Sequence, residues 1–118
     1  ELMADIASDA RTTHIVNTRN NGAVPGFPDD VVMEIPAIIS KDGAASLKTN
    51  ALNDEMKSLI GKVKDFELLT IEAAQTGDVA KAKEALLRNP LGPSEESVDR
   101  VWNRLVEVNV GLLGAFNE

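Results

Sequence analysis

Few side chains in this sequence could carry out chemistry by themselves. His14 is the single histidine, and a metal site or a serine–histidine triad needs partners that its neighbours do not supply. We therefore interpret His14 as an ordinary residue at the end of a strand. Asp29, Asp30 and Glu34 form a carboxylate cluster that could do acid–base work or bind a divalent ion. A turn aspartate that caps local N–H groups before a strand is the simpler interpretation.

Glycine and polar residues cluster between Arg19 and Asp30, where an anion could bind. The amides around Gly22 and Gly26 could cradle a phosphate, but the spacings of a dinucleotide-binding fingerprint and of a P-loop are both absent. Arg19 could also hold an anion, although a solvated arginine is the simpler interpretation. The chain contains no cysteine and no tyrosine. We therefore predict that it supplies no catalytic, cofactor-binding or metal-binding residue.

Two residues stand out on an apolar helical stripe near the end of the sequence. Asn109 falls between Leu105 and Leu112, and a buried amide without partners would cost about 1–3 kcal/mol. We predict that Asn109 is largely buried and is hydrogen-bonded to backbone outside its own helix, so that it ties down a nearby loop. Trp102 lies on the same stripe and is interpreted as a core residue rather than as a platform for a sugar ring.

The composition restricts the classes of protein to which the chain can belong. Its 118 residues suffice for one modest core, and 43% hydrophobic with 26% charged residues are typical of a folded protein. No apolar run is long enough to span a bilayer. The net charge of −7 repels phosphate backbones and anionic lipid, so we expect neither nucleic acid nor membrane as a partner. The absence of cysteine fits a cytoplasmic protein.

The first half of the sequence predicts one helix and two short strands. Residues 1–7 have the spacing of the last turns of an amphipathic helix that lacks a cap, so we expect the chain to be a fragment. Strands are predicted at His14–Thr18 and Val31–Ile39. Pro36 is expected to place the second strand at a sheet edge, or to end or bulge it. Lys41–Gly43 is predicted to form a turn.

The second half predicts three helices, because apolar residues recur there at helical spacing. Capping residues, glycine and proline give their expected limits, which are Asn50–Gly77, Asp78–Asn89 and Pro93–Phe116. The predicted fold class is therefore α+β, with two short strands joined by a long Gly/Pro loop and followed by three helices.

The loop and its flanking strands resemble a known family. Ile15–Pro36 looks like a recurring stretch of the family 4 glycoside hydrolases. In that stretch a strand ending in Val-Asn leads to Asn-x-Gly-Ala-[Ile/Val]-Pro and then to Leu-Pro-x-Asp-x-Val-Val-Glu-[Val/Ile]-Pro. The similarity continues at Val63–Ala74, Gly77, Asp78, Ala85–Leu91, Asn109 and Phe116. It departs from the family pattern at Gly26-Phe27 and Gly114-Ala115. These segments cover nearly the whole chain and follow one another in the same order as in the family. The chain therefore resembles these enzymes, and the 6-phospho-β-glucosidases most of all.

The resemblance implies the C-terminal piece of a larger NAD-dependent α/β enzyme. Residues 1–118 would form its substrate or oligomerisation domain, with the NAD-binding Rossmann domain upstream and absent from this chain. The implied activity is hydrolysis of phosphorylated disaccharides, with NAD and a divalent metal, typically manganese, as cofactors. NAD oxidises the C3 hydroxyl of the sugar, a tyrosine removes the C2 proton, the aglycone is eliminated, and water adds before the hydroxyl is restored.

The resemblance carries no catalytic residue over to this chain. Family members hold their metal-binding Cys and His and their base Tyr upstream of this stretch. We place only the loop at Asn20, Asn21 and Gly22 on the active-site side. The piece alone is expected to be inactive and to bind no cofactor. The intact enzyme is expected to be a cytoplasmic homo-oligomer that binds a phosphorylated glucoside.

Two alternatives remain open at the level of sequence. The chain could be the substrate domain of a 2-hydroxy-acid dehydrogenase, but such domains bring a catalytic histidine together with an arginine, and His14 lacks that setting. It could also be a helical module that serves only to oligomerise. Its apolar stripes fit that role, which would leave the composite loop unexplained.

Overall fold

A computed structural model describes residues 1–116 and shows two structural units, one formed by Glu1–Asn53 and one that begins at Asp54. The elements of the first unit are α1 (Leu2–Ser8), β1 (Thr12–Arg19), β2 (Val32–Ser40) and β3 (Gly43–Ser46). Those of the second are α2 (Asp54–Thr76), α3 (Val79–Arg88), α4 (Val98–Val108) and a 3-10 turn (Gly114–Phe116). The predicted α+β class is confirmed, with an opening helix, strands joined by a long loop and three later helices.

The strands of the first unit form one antiparallel sheet in the order β1-β2-β3. The pairing of β1 with β2 runs from Thr12 opposite Ile39 to Arg19 opposite Val32. Because successive side chains of a strand point to opposite faces, β2 contributes a buried side chain at every second position. These buried residues are Met33, Ile35, Ala37 and Ile39. The sheet therefore buries one face of β2 and leaves the other more accessible.

The third strand is a feature that the sequence did not predict. β3 consists of Gly43, Ala44, Ala45 and Ser46, and none of these is a β-branched or aromatic residue of the kind enriched in strands. It forms because the turn at Lys41 and Asp42, which was predicted, returns the chain alongside β2. The pairing, rather than the composition of the segment, makes it a strand.

Pro36 lies in the central strand, so its predicted place at a sheet edge, strand end or bulge is wrong. It is paired with Ile15 of β1 and lies within the continuous strand β2. On the opposite side its carbonyl oxygen accepts the Leu47 N–H at 2.8 Å. In an antiparallel ladder the N–H and C=O of one residue point to the same neighbour, so the missing donor of Pro36 faces the end of β3. The ladder between β2 and β1 therefore loses no hydrogen bond at Pro36.

The helices α2 and α3 meet at a junction that the sequence predicted well. Gly77 follows α2 with φ of 71°, and its N–H donates to the Ala73 carbonyl oxygen at 2.8 Å. Asp78 is the N-cap of α3, because its side chain accepts the Lys81 N–H at 3.1 Å. The Lys81 ammonium donates to the Glu72 carboxylate of α2, which raises the pKa of Lys81. The two helices are thus joined by a capped turn and an ion pair.

Three predicted helix limits are wrong, and one of them is the start of α4, which lies at Val98 rather than at Pro93. Asn50 does not cap α2, which begins only at Asp54. The last helix ends at Val108 instead of continuing to Phe116, and Gly111 follows with φ of 82°. Glycine adopts this left-handed backbone at little cost and is common just after the end of a helix. Within residues 1–116, none of the helices combines the length and apolar character that crossing a membrane requires.

Candidate functional site

The loop between β1 and β2, residues 20–31, is organised around the side chain of Asn20. This side chain is completely buried, with 0% exposure, directly after the last residue of β1. Its amide nitrogen donates to the carbonyl oxygens of Val24 (3.2 Å), Phe27 (3.0 Å) and Pro28 (3.1 Å). Its oxygen accepts the Val24 N–H at 2.7 Å. The polar atoms of the Asn20 side chain therefore hold the two halves of the loop together.

Main-chain hydrogen bonds complete the loop. The Asn21 N–H donates to the Asp29 carbonyl oxygen at 2.9 Å, and the Ala23 N–H donates to the Asn20 carbonyl oxygen at 2.8 Å. The Ala23 carbonyl oxygen accepts both the N–H of Thr49, at 2.8 Å, and its hydroxyl, at 3.1 Å. A buried polar group needs such partners, and here they come almost entirely from the loop itself. The loop has one defined shape.

The outer edge of this loop has an unusual backbone. Asn21, Gly22 and Gly26 have φ angles of 45°, 75° and 88°, in the left-handed region that glycine adopts freely and asparagine tolerates. Asn21 and Gly22 are both exposed. The loop therefore presents a carboxamide and a main-chain N–H to the outside. These groups can donate and accept hydrogen bonds, but they cannot act as an acid or a base near neutral pH.

The three carboxylates of the predicted cluster are all exposed: Asp29, Asp30 and Glu34. Asp29 does accept a local N–H, but it does so with its main-chain carbonyl rather than with the predicted side-chain cap. Across residues 1–116, no three His, Asp or Glu side chains lie so that they could hold a metal ion. The described residues therefore offer no metal-binding cluster of their own, and the resemblance places the metal ligands upstream of this stretch.

His14 has closer partners than the sequence indicated. Its Nε2 lies 2.6 Å from Oδ2 of Asp5 on α1, and the Thr12 hydroxyl donates to the same oxygen at 2.8 Å. The hydrogen bonds from Thr12 and then from His14 lower the pKa of Asp5. The partner comes from α1, which folds back onto β1, and not from the residues next to His14 in the sequence. The three side chains join these two elements. The Thr12 hydroxyl lies 3.1 Å from Nε2 of His14 but donates to Asp5, and we interpret the cluster as structural.

The lowered pKa of Asp5 predicts how acid acts on the first unit. A carboxyl group whose pKa is lower in the folded than in the unfolded chain stabilises the fold above its unfolded pKa. That stabilisation is lost as the pH falls through the lowered, folded pKa. We expect the protection factors of the amides in α1 and β1, which correct for the intrinsic exchange rate, to fall over this acidic range, and Asp5→Asn to flatten the change. Asp30→Asn, at an exposed aspartate of the loop, should keep the wild-type pH profile; an equal flattening there would contradict the assignment.

Asn109 does not have the predicted environment. It is the C-cap of α4, half-buried, and its side-chain amide donates to the Leu105 carbonyl oxygen of the same helix at 2.8 Å. The prediction of a bond to backbone outside the helix is therefore wrong. Trp102 packs edge-to-face against Phe116, with ring centroids 5.4 Å apart, as expected of a core residue rather than an open platform.

The buried asparagine that organises a loop is Asn20, and sequence reasoning did not single out its side chain. Helical spacing drew attention to Asn109, whereas Asn20 lies outside any periodic segment. The available signal was local. An asparagine at the end of a strand is followed by Asn21-Gly22, which allows left-handed backbone, and by Pro25, which stiffens the return.

Comparisons with known proteins relate the chain to one family of enzymes. A profile of the family 4 glycosyl hydrolase C-terminal domain matches residues 1–92. The 6-phospho-beta-glucosidase of Thermotoga maritima is 38% identical over 92% of the chain, and a probable 6-phospho-beta-glucosidase of Bacillus subtilis is 32% identical over 98%. A solved structure of the Thermotoga maritima enzyme, with manganese, NAD+ and glucose-6-phosphate, superposes with a TM-score of 0.81 at 37% identity.

The matches cover nearly all of this chain but only part of each related enzyme. The match with the Thermotoga maritima structure covers 92% of this chain but only 28% of the Thermotoga maritima chain. The chain spans 26% of the length of each of the two relatives. The similarity is therefore to one region of longer enzymes, and it includes the loop around Asn20 as well as the helices α2 and α3. The chain belongs to the family 4 glycosyl hydrolases and corresponds to their C-terminal domain.

Proposed function

We propose that this chain is the C-terminal domain of a 6-phospho-β-glucosidase that requires NAD and a divalent metal ion. The observation that carries the proposal is 38% identity over nearly the whole chain to a 6-phospho-beta-glucosidase. The related structure with manganese, NAD+ and glucose-6-phosphate supports the choice of cofactors and of a phosphorylated sugar as substrate. The oxidation, elimination and water addition implied by the resemblance would use groups outside this chain.

In this proposal the Asn20 loop contributes shape rather than reactive groups. Asn21 and Gly22 lie at its exposed edge, and we place that edge on the active-site side of the enzyme. A loop already fixed by its own hydrogen bonds loses little entropy when a substrate arrives, which favours binding and orientation. The carboxamide of Asn21 and the N–H of Gly22 suit the hydroxyl groups of a sugar, because each can form neutral hydrogen bonds.

We also propose that the intact protein is a cytoplasmic homo-oligomer. Large apolar side chains are exposed on α2, at the end of α4 and in the segment that follows α4, among them Met56, Leu59, Leu68, Ile71, Val108 and Leu112. Apolar exposure on this scale marks surfaces that contact another domain or subunit. A cytoplasmic location suits an enzyme that depends on NAD and on a phosphorylated sugar.

A chimera tests the activity directly. The region of the Thermotoga maritima enzyme that matches this chain would be replaced by the 118 residues, and chromogenic 6-phospho-β- and 6-phospho-α-glucosides would be assayed. We expect cleavage of the β-glucoside when NAD and manganese are both present. A chimera that sediments as a folded oligomer and binds NAD, yet cleaves neither glucoside, would contradict the proposal. Preferential cleavage of the α-glucoside would contradict its β-specificity.

The chain by itself provides the matched control. Because the described residues hold no metal-binding cluster and the sequence holds no dinucleotide fingerprint, we expect calorimetric titration of the 118-residue chain with NAD to give no heat of binding. Saturable binding at micromolar NAD would show that a cofactor site lies within the chain. Sedimentation of the chimera also tests the oligomer, since a monomer would contradict that part of the proposal.

A further inference from the structure

We propose that Asn21 and Gly22 form a self-modifying site, at which the Asn21 side chain loses ammonia and the loop is converted to an aspartate or isoaspartate form. The reaction needs no enzyme and no cofactor. The Gly22 nitrogen forms a bond to Cγ of Asn21, the bond from Cγ to Nδ2 breaks, and ammonia leaves with the proton of the Gly22 amide. Water then opens the resulting five-membered imide at either carbonyl, which gives aspartate or isoaspartate.

The sequence makes this position unique among the asparagines of the chain. A side chain on the following residue hinders the attack of its nitrogen on the carboxamide, so glycine is the most permissive follower. Asn21 alone is followed by glycine. The other asparagines are Asn17, Asn20, Asn50, Asn53, Asn89, Asn103, Asn109 and Asn117, and their followers are Thr, Asn, Ala, Asp, Pro, Arg, Val and Glu. Asn89 is excluded outright, because proline has no N–H to lose.

The structure leaves both reacting groups available. Asn21 is exposed, and within residues 1–116 neither its side chain nor the Gly22 N–H has a hydrogen-bond partner. Asn20 is the contrasting neighbour, since its buried carboxamide is held by Val24, Phe27 and Pro28. Two adjacent asparagines therefore differ sharply, one held in place and one free to react.

The product would not fit the loop. An isoaspartate inserts one methylene group into the main chain between two bonds that fix the turn, Asn21 N–H to the Asp29 oxygen and Ala23 N–H to the Asn20 oxygen. Either product also adds a carboxylate near Asp29, whose Oδ1 lies 3.8 Å from the position of a Cβ built on Gly22. Like charges in proximity repel. Modification is therefore expected to release the loop from the Asn20 side chain.

The experiment follows the 118-residue chain during incubation in mildly alkaline buffer, in native and in fully denaturing conditions. Trypsin cleavage after Arg19 and Lys41 releases a peptide whose only asparagines are Asn20 and Asn21. The masses of its fragment ions show which of the two has reacted. We expect the native chain to accumulate product at Asn21 ahead of every other asparagine. The amide of Val24, which bonds to Asn20, should lose hydrogen-exchange protection in the modified fraction only.

Three variants control the test. Gly22→Ala should abolish most of the product, because its methyl group hinders the attack of the nitrogen. A Cβ there meets no atom closer than 3.8 Å, but the φ of 75° strains the backbone, and Gly26→Ala, with a φ of 88°, is the control for that strain. Gly26→Ala, in the same loop, should still react at Asn21. Asn21→Asp should reproduce the added charge with no release of ammonia. A chain that reacts only when denatured, or a modified fraction with full Val24 protection, would overturn the inference.

Discussion

Replacing Asn20 with alanine is expected to destabilise the first unit by about 2–4 kcal/mol, because it leaves buried polar groups without partners. Val24 would lose a donor for its carbonyl and the acceptor for its N–H at once, and it is only 4% exposed. The loop halves would lose their common anchor. Residue-resolved hydrogen exchange should show the loss in β1, β2 and the loop, while α3 of the second unit serves as an internal reference.

Asn17→Ala is the matched control, because Asn17 is an exposed asparagine on β1 itself. Its effect should stay within about 0.5 kcal/mol. Asn20→Asp gives a second measure of the same network. The aspartate keeps an acceptor for the Val24 N–H. Its second carboxylate oxygen, however, takes the place of the amide nitrogen and faces the carbonyl oxygens of Val24, Phe27 and Pro28 without a hydrogen to donate. We expect it to destabilise at least as much as alanine. An Asn20→Ala protein with wild-type exchange of the Val24 amide would refute the role of this side chain.

Replacing Gly77 with alanine is expected to destabilise the second unit by about 2–5 kcal/mol, from backbone strain and overpacking together. Gly77 has a φ of 71°, and a Cβ at this position would lie 1.8 Å from the main-chain oxygen of Ala115. A backbone atom cannot turn aside as a flexible side chain can. The 3-10 turn at Gly114–Phe116 would have to move. Denaturant titration followed by the fluorescence of Trp102, which packs against Phe116, reports this unit directly.

Gly61→Ala provides a control of opposite sign in the same unit. Gly61 lies inside α2, and a Cβ built there meets no atom within 4 Å. Alanine lowers the backbone entropy of the unfolded chain and favours helix, so we expect a gain of about 0.5–1 kcal/mol. If both substitutions moved the Trp102 transition in the same direction, the close approach of Gly77 to Ala115 would not be the cause.

Elements that depend on neighbours in sequence were predictable, and elements that depend on distant partners were not. Asp78 caps α3 because its side chain reaches an N–H three residues away, and Pro90 limits the same helix by its own geometry. β3 is a strand only because β2 lies beside it. The partners of Asn20 come from across a loop, so its burial required the folded chain. The same holds for His14, since Asp5 reaches it only after α1 folds back.

For the candidate site, the sequence identified the segment but not the role of each residue in it. The glycines and prolines around Gly22 and Pro25 indicated a defined loop, and the family pattern gave the loop its proposed position in an enzyme. The glycine that follows Asn21 distinguished the two asparagines, but it did not indicate which of them is buried. One is buried and holds the loop, whereas the other is exposed at its edge. That difference depends on which way the backbone turns after β1, and a left-handed residue at Asn21 decides it.

The position of Pro36 bears on how β1 finds β2 during folding. A tight hairpin fixes the alignment of its strands through the turn, but residues 20–31 are too many to do so. If β2 turned over about its own axis and paired with β1 one residue out of register, the buried side chains of β2 would face the wrong way. Pro36 would then turn its missing donor towards β1, and the misaligned ladder would also lack a hydrogen bond. The misaligned pairing is thus destabilised both by the exposed apolar side chains and by the lost hydrogen bond. The proline that lacks a donor on the β3 side of β2 therefore favours the correct alignment of β2 with β1.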